Sequence, residues 1–301
     1  MRSFALSITV VLSASFVLVC NSFSHIQTEN SAIPTPAIVR VTVAGLGLFG
    51  GDAGIVTHIF KPAGKPPFPV LVFSHGRAGD AASRSKLTHP IPIGHVGYWL
   101  NKGYAVVAPI RPGYGETGGP DRENSGARYD TYGRCASKAD HENTTRSASE
   151  AMTLVIDWVR TQPWINPNQI LLEGQSVGGI TTVALCAANL PGVVGCINFS
   201  GGSGGSPSSM GKVCNPEVID ALMLGWGKTT RLPSVWLYAP NDSYWGADTP
   251  KVWHRAFAAG ASASLFVGTD PLPDADGHSL LVRGGSLWKE RLDTWLSKNG
   301  F

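Results

Sequence analysis

The chain has 301 residues, a length that suits one large domain or two small ones. Hydrophobic residues make up 43% of it and charged residues 15%, so it can bury a large core, and this composition excludes a disordered or collagen-like protein. Its 24 Lys and Arg against 21 Asp and Glu give a formal net charge of +3, without the clustered basic residues typical of nucleic-acid binding. We therefore expect one domain whose partners are small and weakly charged or neutral.

The beginning of the chain has the layout of a secretory signal peptide. Residues 4–19 are apolar or small, follow Arg2 and lead into a polar stretch. This apolar run is shorter than the roughly 20 residues that a membrane-spanning helix needs. We expect a signal peptide over 1–24, a flexible segment over 25–37 and one domain over 38–301, in a secreted or periplasmic protein without stable membrane insertion after cleavage. An uncleaved anchor and a lipid anchor on Cys20 remain open as alternatives.

Strand-like and helix-like runs alternate from residue 38 onwards, which is the pattern of a parallel sheet covered by helices. The predicted strands cover residues 38–43, 55–60, 70–74, 104–108, 170–173, 193–199, 235–239 and 263–267. The predicted helices cover residues 91–102, 142–162, 177–189, 215–224, 249–260 and 284–298. Because most strands are continuously apolar, they are expected to be buried on both faces. The sequence thus predicts an α/β fold with a mostly parallel eight-stranded sheet and helices on both faces.

Two long connections, residues 111–141 and 200–216, are rich in glycine, serine and polar residues. Long loops in a compact domain are usually functional or mobile. Both follow the carboxyl ends of predicted strands, where open α/β sheets place their ligands. We expect these loops to form the rim of a pocket.

Four cysteines remain after signal cleavage, and an even number in an oxidising compartment can form disulfides. Of the three connectivities, the layout of the predicted elements favours Cys186 with Cys196 and Cys135 with Cys214. Four buried free thiols are the alternative. Since no two of these cysteines have a C-x-x-C spacing, we do not expect a zinc site.

The motif G-x-S-x-G occurs at residues 174–178, directly after one predicted strand and directly before a predicted helix. In a sharp strand-to-helix turn of this kind, the serine stands clear of the sheet and can act as a nucleophile. A second match, centred on Ser203, is followed by Ser206 and Pro207 and has no helix after it, so we interpret it as a flexible loop. The sequence therefore predicts Ser176 as the catalytic nucleophile.

A serine hydroxyl needs a base within hydrogen-bond reach, and in this type of fold the chain order is serine, acid, histidine. The histidines after Ser176 are His254 and His278. His254 falls in the middle of a predicted helix, whereas His278 lies in a loop after the last strand, at the edge where Ser176 is expected. We predict that His278 is the general base.

Asp242 comes just beyond the predicted strand 235–239, at the carboxyl edge of the sheet. This position predicts that its carboxylate orients the catalytic histidine. Asp248 begins the next helix and is better explained as its N-cap. Asp270 and Asp276 are expected to shape the histidine loop.

The oxyanion that forms during acyl transfer needs two backbone N–H donors. The N–H of Val177 follows the nucleophile and begins a helix, and the N–H of Arg77 lies in the loop after the strand 70–74. We predict these two amides as the oxyanion hole and a structural role for His75. Aromatic residues on segments near the triad are candidates for the substrate pocket or for ordinary core packing, namely Trp226, Tyr244 and Trp245.

These segments together resemble an α/β-hydrolase, most closely the dienelactone-hydrolase-like branch. The resemblance covers roughly residues 50–298 and rests on residues 73–76, 103–109 and 111–115, the Ser176 elbow and the Asp242 and His278 loops. It implies a serine hydrolase without a cofactor that acts on a small-molecule ester. True dienelactone hydrolases carry a cysteine nucleophile, so Ser176 favours ordinary ester hydrolysis over lactone cleavage.

Two alternatives stay open: a peptidase or amidase with the same triad, and a catalytically silent hydrolase fold that serves as a binding module. The G-x-G-x-x-G matches at residues 45–50 and 113–118 do not lead into helices, so they do not predict dinucleotide binding. Asn143 lies in a glycan acceptor motif whose use depends on the host. Metal and nucleic-acid partners are not predicted, and the oligomeric state is left open.

Overall fold

Eight strands form one mixed sheet in the computed structural model, which describes residues 33–42 and 54–301. The strands are β1 (Ala37–Val41), β2 (Ile55–Phe60), β3 (Phe68–Ser74), β4 (Ala105–Pro109), β5 (Ile165–Gln175), β6 (Val193–Phe199), β7 (Ser234–Tyr238) and β8 (Ser264–Gly268). Their order in the sheet is β1-β2-β4-β3-β5-β6-β7-β8. β2 is antiparallel to both of its neighbours, and the strands from β4 to β8 run parallel. The predicted mostly parallel, eight-stranded α/β fold is confirmed.

The helices agree with the predicted ones except in two short elements and one boundary. They are α1 (Ala81–Ser85), α2 (Ile93–Leu100), α3 (His141–Arg160), α4 (Val177–Ala187), α5 (Pro216–Thr229), α6 (Thr249–Ala258), α7 (Leu280–Arg283) and α8 (Gly285–Asn299). The sequence patterns missed α1 and α7, which are too short to show a helical period. α5 continues to Thr229, past the predicted end at 224, and its Gly227 packs against the backbone of Phe257, where a Cβ atom would collide with the carbonyl oxygen.

Both faces of the sheet are covered, as the apolar strands predicted. In β3, Leu71 and Phe73 pack with α2 and α8 on one face, while Val70 and Val72 pack with α3 and α4 on the other. This division follows from the alternation of side chains along a strand. α5 and α6 extend the second layer over the end of the sheet around Trp236.

The compact unit of the described chain begins at Ile33, so residues 33–37 belong to it rather than to a flexible segment. Ile33 packs against the core near Gly97. The predicted signal peptide, Cys20 and the glycines at 45–50 lie outside the described residues. In the described part of the chain, no helix is both long and apolar enough to cross a membrane.

The parallel strands end at one edge of the sheet. Ser74 of β3 pairs with Gly174 of β5, and Gln175 pairs with Phe199 of β6. Tyr238 of β7 pairs with Gly268 of β8 at the same level. The loops after β3, β5, β7 and β8 carry the predicted site residues, so the topology brings these residues to a common edge.

Two disulfides are present, with the predicted connectivity. Cys135 and Cys214 have Cα atoms 5.1 Å apart and join the two long connections. Cys186 of α4 and Cys196 of β6 have Cα atoms 6.1 Å apart. The first bridge therefore ties together the loops that we expected to form the rim of the pocket.

Candidate active site

Ser176 stands alone in a sharp turn between β5, which ends at Gln175, and α4, which begins at Val177. Its φ of 57° and ψ of −123° lie in a region that residues other than glycine rarely adopt. The turn is tight because Gly174 and Gly178 lack side chains: a Cβ on Gly178 would collide with the carbonyl oxygen of Ser74. This is the geometry that exposes a nucleophilic serine at a sheet edge.

The second G-x-S-x-G match has a different structure. Ser203 is buried, and its hydroxyl lies 3.1 Å from Nδ1 of His141 at the start of α3. The other ring nitrogen of His141 lies 2.6 Å from the carbonyl oxygen of Cys214. Ser203 thus lies in a loop without the elbow geometry, as expected, but it is buried and hydrogen-bonded there, which the interpretation as a flexible loop did not anticipate.

His278 and Asp242 form a hydrogen-bonded pair. Nδ1 of His278 donates to Oδ2 of the fully buried Asp242 over 3.0 Å. The other carboxylate oxygen accepts hydrogen bonds from the backbone N–H groups of Tyr244, at 2.9 Å, and Trp245, at 3.2 Å. The carboxylate is therefore fixed from two sides, and it favours the tautomer that leaves Nε2 of His278 unprotonated and able to accept a proton.

The histidine loop is held in place by Asp276 and Gly277. Oδ1 of Asp276 accepts hydrogen bonds of 2.9 Å from the backbone N–H groups of His278 and Ser243, and Oδ2 accepts one from the Ser243 hydroxyl. A Cβ on Gly277 would lie 2.6 Å from the backbone nitrogen of Asp242. The loops that carry the acid and the base are thus packed directly on each other, with Asp276 in the shaping role that was predicted for it.

Gln175 joins the histidine loop to the elbow. Its side-chain amide donates a 3.0 Å hydrogen bond to the carbonyl oxygen of His278, and the next residue along the chain is Ser176. The hydrogen bonds of the described residues do not include one between the Ser176 hydroxyl and His278. Hydrogen bonds between nucleophile and base often shorten only when substrate binds. The structure therefore brings the predicted acid and base into contact and joins the histidine loop to the residue before Ser176.

The two predicted oxyanion donors lie on adjacent backbone segments. Gly178, in the first turn of α4, packs on the carbonyl groups of Ser74 and His75, and a Cβ on Gly76 would lie 3.4 Å from that of Ser176. Val177 is the first residue of α4, where backbone N–H groups have no intrahelical partner. Within residues 54–301, the N–H groups of Val177 and Arg77 donate no hydrogen bond to protein atoms, so both are free to bind a ligand oxygen.

A buried ion pair fixes the loop that carries Arg77. The Arg111 guanidinium donates to both carboxylate oxygens of Glu123, at 2.6 and 2.9 Å. It also donates to the His75 carbonyl oxygen at 2.6 Å and to the Ser74 hydroxyl at 3.0 Å. Arg111 and Glu123 thus hold the end of β3 and the start of the loop that follows it. The sequence patterns did not show this ion pair, which lies within a long irregular connection.

His75 has a structural role, in agreement with the prediction. Its Nε2 accepts a 3.0 Å hydrogen bond from the Arg111 backbone N–H, and Nδ1 donates to the Gly76 carbonyl oxygen at 2.7 Å. Burial, and then the positive charge of Arg111, lower the pKa of His75 well below its ordinary value. The ring is neutral with both nitrogens engaged, so it cannot serve as a base.

Of the three aromatic candidates for the substrate pocket, Tyr244 and Trp245 lie beside His278, and Trp226 lies near the end of α5. The ring of Tyr244 has its centroid 4.3 Å from that of His278, and the buried Trp245 lies 5.8 Å away with its indole N–H on the Ser200 carbonyl. Trp226 is near the end of α5, and its carbonyl oxygen accepts from Thr230 just before β7. Trp226 is partly buried and packs against the core around Trp236, which agrees with the core-packing alternative.

Asp248 occupies the predicted N-cap position of α6, but Asp270 does not have its predicted role. His254, which the sequence excluded as the general base, lies within a helix as predicted. Asp248 precedes α6 but makes no capping hydrogen bond, and its carboxylate instead lies 3.1 Å from Nζ of Lys251. Asp270 makes no side-chain hydrogen bond to another described residue, so it does not shape the histidine loop. His254 lies on α6 with Nε2 2.9 Å from the Ser264 hydroxyl, and burial lowers its pKa to about 4.

An open groove of about 500 Å³ borders the elbow. Its lining residues come from β3, the loop after it, the segment before α2 and the end of β5: Phe73, His75, Gly76, Leu87, His89, Pro90, Ile91, Pro92, Ile93 and Gln175. The sequence patterns did not predict this groove. The alternation of proline and isoleucine over residues 90–93 was the feature of the sequence that marked its apolar wall. Among the described residues, no group of three or more His, Cys, Asp or Glu could hold a metal ion.

A scan of the sequence against protein-family models found no match, and a search of curated proteins found no significant relative. Solved structures do match. An esterase of Pyrococcus furiosus is 11% identical, with 90% of this chain and 92% of that chain covered and a TM-score of 0.58. Esterase 2 of Thermogutta terrifontis, phosphorylated by paraoxon, is 15% identical, with 89% and 96% covered and a TM-score of 0.55.

A proposed dienelactone hydrolase of Klebsiella pneumoniae is 16% identical, with 87% of this chain and 95% of that chain covered and a TM-score of 0.55. At these identities the similarity shows a shared fold. The chain therefore has the α/β-hydrolase fold that the sequence resemblance implied, and the prediction of the fold family is confirmed.

Proposed function

We propose that this chain, which has the α/β-hydrolase fold, is a serine hydrolase that cleaves carboxylic esters through an acyl-enzyme on Ser176. The observation that carries the proposal is the 3.0 Å hydrogen bond between His278 and Asp242. The loop that carries His278 is hydrogen-bonded to Gln175, the residue before Ser176 in its strained turn. These contacts support the proposed roles of Ser176 as nucleophile, His278 as base and Asp242 as the acid that orients it. The esterases among the similar structures support the same reaction class.

The proposed mechanism has two steps. The Ser176 oxygen attacks the ester carbonyl carbon while Nε2 of His278 takes its proton, and the tetrahedral intermediate collapses as His278 returns that proton to the leaving alcohol. A water molecule, deprotonated by His278, then attacks the acyl-enzyme and releases the acid and the serine. Asp242 stabilises the imidazolium in both steps.

The N–H groups of Val177 and Arg77 stabilise the oxyanion in this proposal. One well-placed donor of this kind contributes on the order of 3 kcal/mol to the stabilisation of the transition state. The α4 helix begins at Val177, and the positive end of its dipole favours the same negative charge. The substrate in this proposal is a small-molecule ester, which the esterases among the similar structures support.

The decisive experiment compares ester turnover by the wild type, Ser176→Ala and Ser203→Ala. Ser203 provides a matched control because it lies in the same sequence motif without the elbow geometry. We expect p-nitrophenyl ester hydrolysis to be lost in Ser176→Ala and retained in Ser203→Ala. Amide turnover without ester turnover indicates the amidase alternative, and binding without any turnover indicates the silent fold.

We also propose that the protein is exported to an oxidising compartment. The support is the pair of disulfides, since structural disulfides are rare in reducing compartments. Mass spectrometry of the protein from its native host under non-reducing conditions tests this. Two cystines in the mature chain are the expected result, and four free thiols would contradict export.

A further inference from the structure

We infer that the groove beside the elbow, called the acyl groove below, binds the uncharged apolar acyl chain of the substrate ester. It is the groove lined by residues from 73–76 and 87–93 and by Gln175. The inference rests on the proposed function, because it names which part of the ester lies there and what its chemistry is. It concerns the substrate class, which the triad alone does not determine.

The acyl groove opens at the reacting hydroxyl. Gln175, which forms part of its wall, is the residue before Ser176. Gly76, on the other wall, is so close to the elbow that an added Cβ would lie 3.4 Å from the Cβ of Ser176. A group bonded to a carbonyl carbon on Ser176 can therefore enter the groove without crossing another element.

The walls of the acyl groove are mostly apolar, and their polar side chains are those of His75, Gln175 and the exposed His89. Phe73 and Ile91 are 1% and 3% exposed and form its floor, while Ile93 is 53% exposed at its rim. None of its lining residues is Asp, Glu, Lys or Arg. His75 contributes a neutral ring whose nitrogens are both engaged. A charged or strongly polar chain would lose its hydration here without a partner, whereas an alkyl or aromatic chain would gain by burial.

The position of the base assigns the groove to the acyl group rather than to the alcohol. His278 gives its proton to the leaving oxygen, so the alcohol part must lie beside the imidazole. The lining of the groove includes no residue of the described loops 241–245 and 274–279, and it contacts the histidine loop through the hydrogen bond from the Gln175 side chain to the His278 carbonyl oxygen. Instead, it includes His75 and Gly76, the residues before the proposed oxyanion donor Arg77. The acyl chain on the same carbon is therefore the part that enters the groove.

The test uses the full chain and two ester series. One series keeps the p-nitrophenol leaving group and lengthens the acyl chain from acetate to octanoate, and the other keeps acetate and lengthens the alcohol. We expect kcat/KM to rise about threefold to fourfold for each methylene of the acyl series, the gain expected for burying a methylene, until the groove is filled. The alcohol series should be nearly flat.

A variant pair locates the effect in the groove. Ile93→Gln makes its rim polar, and we expect it to lower kcat/KM for octanoate about tenfold more than kcat/KM for acetate. Val252→Gln is the matched control, because Val252 is 44% exposed on α6 and does not line the groove. This control should keep the wild-type preference.

The outcomes separate the two proposals. If Ser176→Ala loses turnover but the acyl series is flat, or Ile93→Gln behaves as Val252→Gln does, the groove assignment is wrong and the hydrolase proposal stands. A length dependence confined to the alcohol series also overturns the assignment. If no ester is cleaved and Ser176 is not labelled by a fluorophosphonate, the proposed function fails, and the acyl groove fails with it.

Discussion

The Arg111 guanidinium donates a 2.6 Å hydrogen bond to the carbonyl oxygen of His75, two residues before the proposed oxyanion donor Arg77. The same guanidinium is held by both carboxylate oxygens of the buried Glu123. A buried charged pair thus holds the start of the loop after β3, which carries the proposed oxyanion donor. The ion pair is therefore expected to position the N–H group of Arg77, the proposed oxyanion donor.

Arg111→Lys is predicted to lower kcat more than it raises KM. Lysine cannot contact both Glu123 oxygens and the His75 carbonyl together, so the Arg77 N–H loses its position in the transition state. We expect kcat to fall about tenfold to a thousandfold, up to the effect of losing one oxyanion donor. Steady-state kinetics checks this, with thermal unfolding to establish that the variant is folded. Glu123→Gln provides a second, milder variant, and wild-type kcat in both folded variants would refute the positioning role.

Asp242→Asn is predicted to abolish most of the activity while retaining the fold. The amide can donate to Nδ1 of His278, which leaves the proton on Nε2 and removes the base. We expect kcat to fall by about 10³ to 10⁴. Asp270→Asn is the matched control, because Asp270 is an exposed acid after β8, and it should keep wild-type turnover. Equal activity of the two variants would identify another acid.

Glu173→Ala is predicted to destabilise the protein strongly. Glu173 is buried three residues before Ser176, with one oxygen 2.5 Å from Nε2 of His95 and the other accepting from the indole N–H of Trp99 at 2.9 Å. Removing the carboxylate leaves polar groups buried without a partner, at a cost of about 3–5 kcal/mol. Urea unfolding measures this free energy. Glu290→Ala, at an exposed position of α8, should change it by less than about 0.5 kcal/mol, and a comparably small change for Glu173→Ala would be inconsistent with the buried pair.

The stability of the fold is predicted to fall in weak acid through His254. Burial lowers the pKa of His254 to about 4, below its ordinary value of 6.5. Between these two pH values the unfolded chain binds the proton and the folded chain does not, so acidification favours unfolding. We expect the urea midpoint to drop between pH 7 and pH 5, and to drop less in His254→Gln. The same drop in both proteins would show that His254 does not contribute.

The triad candidates and the fold were predictable because their signals are local. The G-x-S-x-G motif between a predicted strand and a predicted helix indicated the turn at Ser176, and apolar runs alternating with helical periods indicated a covered sheet. Asp242 and His278 followed from one further rule, that parallel strands end at a common edge. Each of these inferences used a few neighbouring residues and the chain order.

The features that the sequence did not show depend on contacts between distant segments. Arg111 and Glu123 are 12 residues apart in an irregular connection, so no period joins them. The sequence left Trp226 open between the pocket and the core, because its distance along the chain from the triad loops does not tell which end of α5 lies near them. The acyl groove arises where 87–93 packs beside the elbow, which is a tertiary contact. The sequence therefore indicated the candidates for the triad, but it did not indicate the ion pair that holds the neighbouring loop or the groove beside the elbow.

The central claim is that Ser176 is the nucleophile activated by His278. The most direct measurement is the site of covalent labelling by a fluorophosphonate, determined by peptide mass spectrometry on the folded wild type, Asp242→Asn and Ser203→Ala. We predict one adduct on Ser176, formed at the wild-type rate in Ser203→Ala and far more slowly in Asp242→Asn. No adduct on the wild type, or an adduct on a different serine, would contradict the account.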